Sequence, residues 1–217
     1  MTNEWDIHWK GKASKKTFFG KLLSLYRRLL LAHEVKHYTS KYFPKKGIFV
    51  ECGSGTGESS IKIKKGNRVL IAIDISEFPL KIAKEIGVYD YCIQGDIFNL
   101  PFPDNSIDGI WNSGVMEHFR EDEIILILKE FKRVLKDNSV IILFWAWELG
   151  PAHIFIRILE GVLSIINKKR IYLFPKEYTL FNKKKVEKLL MKVGFKKWRF
   201  HLSPYGGLVN WAVVCWK

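Results

Sequence analysis

The sequence predicts an α/β domain: a doubly wound, mostly parallel sheet with helices on both faces and an antiparallel strand at its end. Three observations carry this. Between residues 47 and 150, short apolar runs alternate with amphipathic helical stretches, the pattern of βαβ units. Right-handed crossovers between parallel strands then put helices on both sides. At the C-terminus, two strand-like runs flank Pro204, Gly206 and Gly207 as a closing pair.

Each element follows from its own pattern. Phe19 to Tyr38 reads as a helix, with Leu22, Leu25, Leu29 and Ala32 at helical spacing, and Pro44 and Gly47 stop it. Ile48 to Val50 is a short apolar run suited to a buried parallel strand. Arg68 to Ile73 repeats the pattern and ends at Asp74. Val88 to Gln94 is a third strand, and Ile107 to Trp111 a fourth that ends at Asn112. Val140 to Trp147 is the fifth and most apolar. Glu77 to Ile86 is a helix with Pro79 near its start, where proline is tolerated. Asp122 to Leu135 carries Ile124, Ile127, Leu128, Phe131 and Leu135 on one face. After Gly150 comes a very apolar helix, Ala152 to Ile166, followed by Asn167-Lys168-Lys169-Arg170. Lys183 to Val193 is another helix, ended by Gly194; Phe195 to His201 and Leu208 to Trp216 form the closing pair. Residues 1–46 read as a basic helical extension. Residues 47–217 read as one domain with a helical lid or insert at about 149–182.

Composition excludes several classes. Of 217 residues, 47% are hydrophobic and 27% charged, which is globular usage and not that of a disordered or low-complexity chain. The longest uncharged apolar stretch is Val140 to Trp147, far short of the roughly 20 residues a membrane span needs. MTNEWDIHWK has no apolar signal core. Cys52, Cys92 and Cys215 are too scattered for a disulfide framework or a zinc site. A cytoplasmic address is the expectation. The net charge is +14, and it is unevenly spread. Residues 1–46 hold 11 Lys/Arg against 3 Asp/Glu, residues 47–150 hold 11 against 16, and residues 151–217 hold 14 against 3. Such flanks suit an anionic partner (nucleic acid, a phosphorylated substrate or an anionic membrane surface) or are a solvated surface.

Val50-Glu51-Cys52-Gly53-Ser54-Gly55-Thr56-Gly57 lies where the first strand is expected to meet a helix. Glycines there allow a sharp turn and close approach of a ligand to backbone N–H groups. A dinucleotide fingerprint needs its third glycine at position 58, which is Glu58. No Gly-Lys-Ser/Thr follows, so a phosphate-binding P-loop is absent. Glu51 would repel a pyrophosphate and suits a ligand with a cationic amino-acid end.

The ordered set of motifs over residues 47–147 resembles the class I S-adenosylmethionine-dependent methyltransferases, in their small-molecule branch. Glu51-x-Gly53-x-Gly55-x-Gly57 is similar to the family's first motif. Asp74 ends the second strand, Gln94-Gly95-Asp96 the third, and Leu100-Pro101-Phe102-Pro103-Asp104 leads towards the fourth. Asn112-Ser113-Gly114-Val115-Met116-Glu117-His118 follows the fourth, and Arg133-Val134-Leu135-Lys136 leads into the fifth. The resemblance implies a Rossmann-like sheet of seven strands and S-adenosyl-L-methionine as cofactor, with S-adenosyl-L-homocysteine as product. It implies that Glu51 and the backbone of Gly53, Ser54, Gly55 and Gly57 hold the methionine end. Asp74 would accept from the ribose hydroxyls. Asp96 would bind the adenine amino group between Ile75 and Ile97, and Asn112 would lie at the mouth of the site. Other readings stay open: Asp74 as a helix N-cap, Asp96 as a turn closer, Glu51 as the partner of a lysine.

In-line methyl transfer needs mainly positioning, and a general base only where the acceptor carries a proton. His118 is the candidate base, or a structural histidine; Glu117 and His153 are weaker candidates. No metal is implied, because Asp104, Asp108 and Asp122 fit turns and a helix start better. The Asn/Asp-Pro-Pro-aromatic run of amino methyltransferases is absent, since Asn112-Ser113-Gly114-Val115 stands there, and no cysteine is placed as a nucleophile. The acceptor is therefore expected to be a small molecule, acidic or lipophilic, contacted by the added segments with Trp145, Trp147, Phe155, Tyr172, Phe174, Tyr178 and Phe181. The apolar helix at 152–166 would be a lid, a membrane-surface helix, or a packing face against the sheet or a second subunit of a homodimer. The alternatives are a non-catalytic methyltransferase-like module and an RNA-directed methyltransferase, each binding an anionic partner through the basic flanks.

Overall fold

The computed structural model describes residues 2–10, 18–147, 150–166, 179–207 and 210–217. Seven strands form one sheet: β1 (Lys46–Cys52), β2 (Asn67–Asp74), β3 (Tyr91–Gln94), β4 (Ile107–Ser113), β5 (Leu135–Ala146), β6 (Lys197–Leu202) and β7 (Asn210–Trp216). Their order is β3-β2-β1-β4-β5-β7-β6. The first five pair in parallel, and β7 runs antiparallel to both neighbours. The expected Rossmann-like architecture is present. β5 begins at Leu135, earlier than expected, because Leu135 pairs with Ile107 across β4 before the register shifts.

The helices are α1 (Thr2–Lys10), α2 (Phe18–Tyr26), α3 (Ala32–Tyr42), α4 (Glu77–Ile86), α5 (Glu121–Val134), α6 (Pro151–Ile166) and α7 (Lys183–Val193). Both sheet faces are covered. On one, Val50, Ile110, Ile141 and Leu143 pack against Ile124, Leu128 and Phe131 of α5 and Leu189 and Leu190 of α7. On the other, Phe49, Leu70, Trp111 and Phe144 pack against Val35 and Tyr38 of α3 and Leu80 and Ala83 of α4. Strand alternation produces this division: Phe49 and Glu51 face the α3 side, Val50 and Cys52 the α5 side. Trp145, counted in the sequence among the substrate-facing aromatics, is instead core. It is fully buried and donates Nε1–H to the Thr179 carbonyl at 2.7 Å.

The N-terminal segment is one helical run, Phe18 to Tyr42, with a π-turn at Arg27–Leu31. It extends past the expected Tyr38 and breaks at extended Phe43, just before Pro44. Arg68 closes its end: Nη2 donates to the Phe43 carbonyl at 2.9 Å and Nε to Pro44 at 2.7 Å. This run takes the place of the helix expected directly after the glycine loop. Only a single 3-10 turn, Glu58–Ser60, follows the loop. Residues 58–66 have no apolar repeat of helical period, so α3 covers that part of the sheet instead.

Candidate active site

The sheet order reverses between β1 and β4, and open α/β sheets bind ligands outside the carboxyl ends of strands at such a switch point. The two loops that leave it touch. Gly53 has φ +71, and a Cβ there would lie 2.7 Å from the Val115 side chain. Gly55 has φ +52, and a Cβ on it would lie 2.7 Å from the Trp9 ring. Both positions exclude any side chain, through backbone conformation and through space. The loop is pinned to β2, where the N–H groups of Gly53 and Ser54 share the Ile73 carbonyl.

Asp74 ends β2 with its carboxylate turned across this loop. Oδ2 accepts from the Gly55 N–H at 2.7 Å and Oδ1 from the Ser76 N–H at 2.9 Å. The helix N-cap of α4 is Ser76, so Asp74 is not that cap. Burial raises its pKa, against the two N–H groups that favour the charged form.

Among the described residues, Glu51 has no lysine partner. Its carboxylate is buried and accepts from Ser60 Oγ at 2.6 Å and from the Tyr89 hydroxyl, with Trp111 Nε1 donating to Ser60 at 3.2 Å. Burial pushes its pKa up to about 7. Tyr89 lies just before β3, which starts at Tyr91 and not at Val88, and its hydroxyl reaches Glu51 from there.

Asn112, which the resemblance implies lies beside the cofactor at the mouth of the site, is buried, at 0% exposure. β4 is a central strand, covered on both edges by β1 and β5. Neither side-chain amide atom of Asn112 has a hydrogen-bond partner among the described residues, and neither does the hydroxyl of Ser54 or Thr56. An unmade buried hydrogen bond costs about 1–3 kcal/mol, so these four atoms, on the loop after β1 and near the end of β4, are each open to a polar ligand. With the glycine cradle and Asp74, these donors and acceptors fit the amino-acid and ribose ends of S-adenosylmethionine.

On the neighbouring side, Asp96 accepts from the Phe98 N–H at 3.0 Å through Oδ1 and closes a turn. Ile97 is buried and Ile75 half-buried, on the loops after β3 and β2. Asp104 and Asp108 are held by Arg133 at 2.6 Å and Lys136 at 2.8 Å, and Asp122 lies in the first turn of α5.

His118 ends a 3-10 turn, Met116–His118, on the loop after β4. The Glu117 carbonyl of that turn accepts from the Thr179 N–H at 3.1 Å, and the Phe181 N–H donates to Ala146 at 2.8 Å. The end of the insert thus returns across the carboxyl rim beside His118. Tyr172, Phe174 and Tyr178, the side chain of Phe155 and that of His153 lie outside the described residues.

Sequence reasoning missed the nearest neighbours of the loop. α1 lies over the crevice: Trp9 sits on Gly55, the Ser76 hydroxyl donates to Asp6, and Trp5 meets the His118 ring edge-on with centroids 5.1 Å apart. Arg27 stacks over Trp9 at 5.1 Å. The available signal was the spacing of Trp5 and Trp9, four residues apart on one helical face.

Residues 50–143, from the glycine loop through β5, match the family model described as a methyltransferase domain. Over that stretch the chain is similar to the class I S-adenosylmethionine-dependent methyltransferases. Two curated relatives that match part of this chain are malonyl-[acyl-carrier protein] O-methyltransferases. The one from Erwinia pyrifoliae is 32% identical over 93 residues, 43% of this chain and 35% of that protein. The one from Hamiltonella defensa is 34% identical over 99 residues, 45% of this chain and 37% of that protein. The chain thus matches little more than a third of their length. A solved methyltransferase structure from Archaeoglobus fulgidus superposes with a TM-score of 0.70 at 16% identity, over 93% of this chain and 100% of that one. That likeness concerns the fold.

Proposed function

We propose that the protein transfers a methyl group from S-adenosylmethionine to a small-molecule acceptor by direct in-line displacement. The observation that carries this reading is the set of partnerless buried polar atoms on Ser54, Thr56 and Asn112 around a loop closed to side chains at Gly53 and Gly55. The cofactor, when bound, supplies a methyl group already activated on a sulfonium. The chain's own residues hold and orient. The N–H groups of the Gly53–Gly57 loop and the Ser54 and Thr56 hydroxyls would take the amino-acid end, and Glu51 would offset its ammonium through the Ser60–Tyr89 network. Asp74 would accept the ribose hydroxyls; Asp96, Ile75 and Ile97 would bracket adenine. His118, for an acceptor that carries a proton, would accept that proton from the other side of the crevice. α1 would shut the cleft over the cofactor and exclude water through Trp5 and Trp9.

Thermal unfolding with separate S-adenosylmethionine, S-adenosylhomocysteine and NAD tests the cofactor assignment. A ligand at about 100 times its dissociation constant stabilises by roughly 2.7 kcal/mol, a midpoint rise of about 5–11 °C at this chain length. A rise with the two sulfur nucleotides and none with NAD is the expected result. No rise with either sulfur nucleotide refutes the reading and leaves a non-catalytic module.

Trp9→Ala removes the ring that lies on Gly55. The expected result is a cofactor dissociation rate about tenfold faster, read by stopped-flow fluorescence, with the sheet's melting behaviour retained. An unchanged rate would show that α1 does not close the site. Once acceptors are screened by release of S-adenosylhomocysteine, His118→Ala is expected to slow turnover about a hundredfold and to leave cofactor affinity unchanged. Equal turnover would make His118 a structural residue.

A further inference from the structure

The carboxyl rim of the sheet carries apolar surface that the methyl-transfer site does not use. On α6, Ile154, Ile158, Val162 and Ile165 are all exposed, Ile158 at 61% and Ile165 at 80%. At about 100° per residue they fall on one stripe of that helix. On α2 and the π-turn after it, Leu22, Leu25, Leu29 and Leu30 are exposed as well, with Leu22, Leu25 and Leu29 at helical spacing. Both segments are anchored at the same rim. α6 follows the end of β5, with the Gly150 N–H on the Trp147 carbonyl. α2 is tied by Tyr26, whose hydroxyl donates to the Gly206 carbonyl at 3.0 Å in the loop after β6, and by Ser24, which donates to Glu58 at 2.6 Å just beyond the glycine loop.

Cations accompany these stripes. Lys21 is exposed on α2, Arg157 on α6, and Lys183, Lys184 and Lys185 on the first turn of α7. That turn begins two residues after Phe181, which pairs with Trp147 at the rim. Lys168, Lys169 and Arg170 follow α6 directly in the chain. Residues 1–46 and 151–217, which contain all of these helices, hold 25 of the 36 Lys/Arg and 6 of the 22 Asp/Glu.

We propose that this rim docks on the surface of an anionic lipid bilayer, with the stripes of α6 and α2 entering the headgroup boundary and the rim lysines meeting the lipid phosphates. Apolar helical stripes flanked by Lys/Arg are the chemistry of helices that lie in the interface. No described helix is long and apolar enough to cross a membrane, so α6 lies on the bilayer and does not span it. Charge selects this occupant over the others. A second copy would bring two chains of net charge +14 together, and the repulsion opposes that contact. A nucleic acid backbone would satisfy the lysines and leave the isoleucine and leucine stripes in water.

Cosedimentation of the full chain with phosphatidylcholine vesicles, with and without phosphatidylglycerol, tests this and requires no methyl transfer, so its outcome stands apart from that of the cofactor assay. The protein is expected to sediment with the phosphatidylglycerol vesicles, much less with phosphatidylcholine alone, and to be partly released by added salt. The double substitution Ile158→Lys with Ile165→Lys is expected to lower the partition coefficient about tenfold or more. Lys183→Glu with Lys184→Glu is expected to lower it several-fold on the anionic vesicles alone. All these side chains are exposed, so circular dichroism spectra and melting midpoints close to the parent's are the folding control. Failure to sediment with anionic vesicles, or equal partition of the isoleucine variant, overturns the proposal. Self-association without lipid that the isoleucine substitutions disperse overturns it in favour of a second copy. Binding to single-stranded RNA without vesicle binding overturns it in favour of nucleic acid.

Discussion

Asp74→Asn is expected to weaken S-adenosylmethionine binding about a hundredfold, because the amide oxygen can accept from only one of the two hydroxyls and a lost charge-assisted hydrogen bond costs roughly 1.5–3 kcal/mol. The same substitution disturbs the free protein less. The carboxylate accepts from the Gly55 and Ser76 N–H groups, and an asparagine side chain can accept from only one of them. One N–H then faces an NH2 group, which costs about 1–3 kcal/mol of stability. Isothermal titration calorimetry gives the first quantity and thermal melting the second. A dissociation constant within twofold of the parent's would remove Asp74 from the ribose site. It would leave the residue as a clamp between the glycine loop and the start of α4.

The second large effect is a loss of stability with rising pH in the free protein. Glu51 and Glu34 are both buried, and burial pushes each pKa from 4.5 up to about 7. Both hold their proton more tightly folded than unfolded. Their contribution is therefore complete below pH 4.5 and is lost as the pH rises through about 7. Each shift corresponds to about 3 kcal/mol, or a midpoint change of roughly 6–12 °C for a chain of this size. Glu34 is the cleaner probe, since it stands away from the glycine loop, where Asn210 donates to Oε2 at 3.1 Å. Glu34→Gln is expected to match the parent near pH 5 and to melt several degrees higher near pH 8. Parallel melting curves across that range would show that Glu34 is ionised in the folded protein at all of these pH values. At Glu51 a bound ammonium would favour the charged form, so cofactor affinity is expected to rise between about pH 6 and pH 8. Calorimetry across that range reads it directly, and a flat profile would place the ammonium elsewhere.

The parts of the site that were legible in the sequence are those set by local backbone chemistry. The turn at Gly53 and Gly55 needs positive φ, and only glycine meets that need cheaply, so spacing alone exposed it. Asp74 was legible because it ends an apolar run of strand length, and Asp96 because it follows the third strand by two residues; strand ends in a parallel sheet gather at one rim. The parts that were not legible depend on contacts between distant segments. Tyr89 meets Glu51 38 positions away, and Ser76 meets Asp6 70 positions away. No periodicity encodes either pairing. Trp145 shows the converse error: an aromatic at a strand end near an insert looks available for substrate, while the fold buries it and gives its N–H to Thr179.

The sequence by itself determined the strand and helix alternation, the closing antiparallel pair, the glycine loop and the likeness to the methyltransferase domain over residues 50–143. Those features follow from side-chain period and backbone conformation within a few residues. Tertiary structure alone decided that α3 covers the sheet face where a helix was expected after the loop. It alone decided that Asn112 is fully buried and that Trp9 of α1 lies on Gly55. Each of these is an outcome of which surfaces compete best for one apolar face, and that competition is settled only when the whole chain packs.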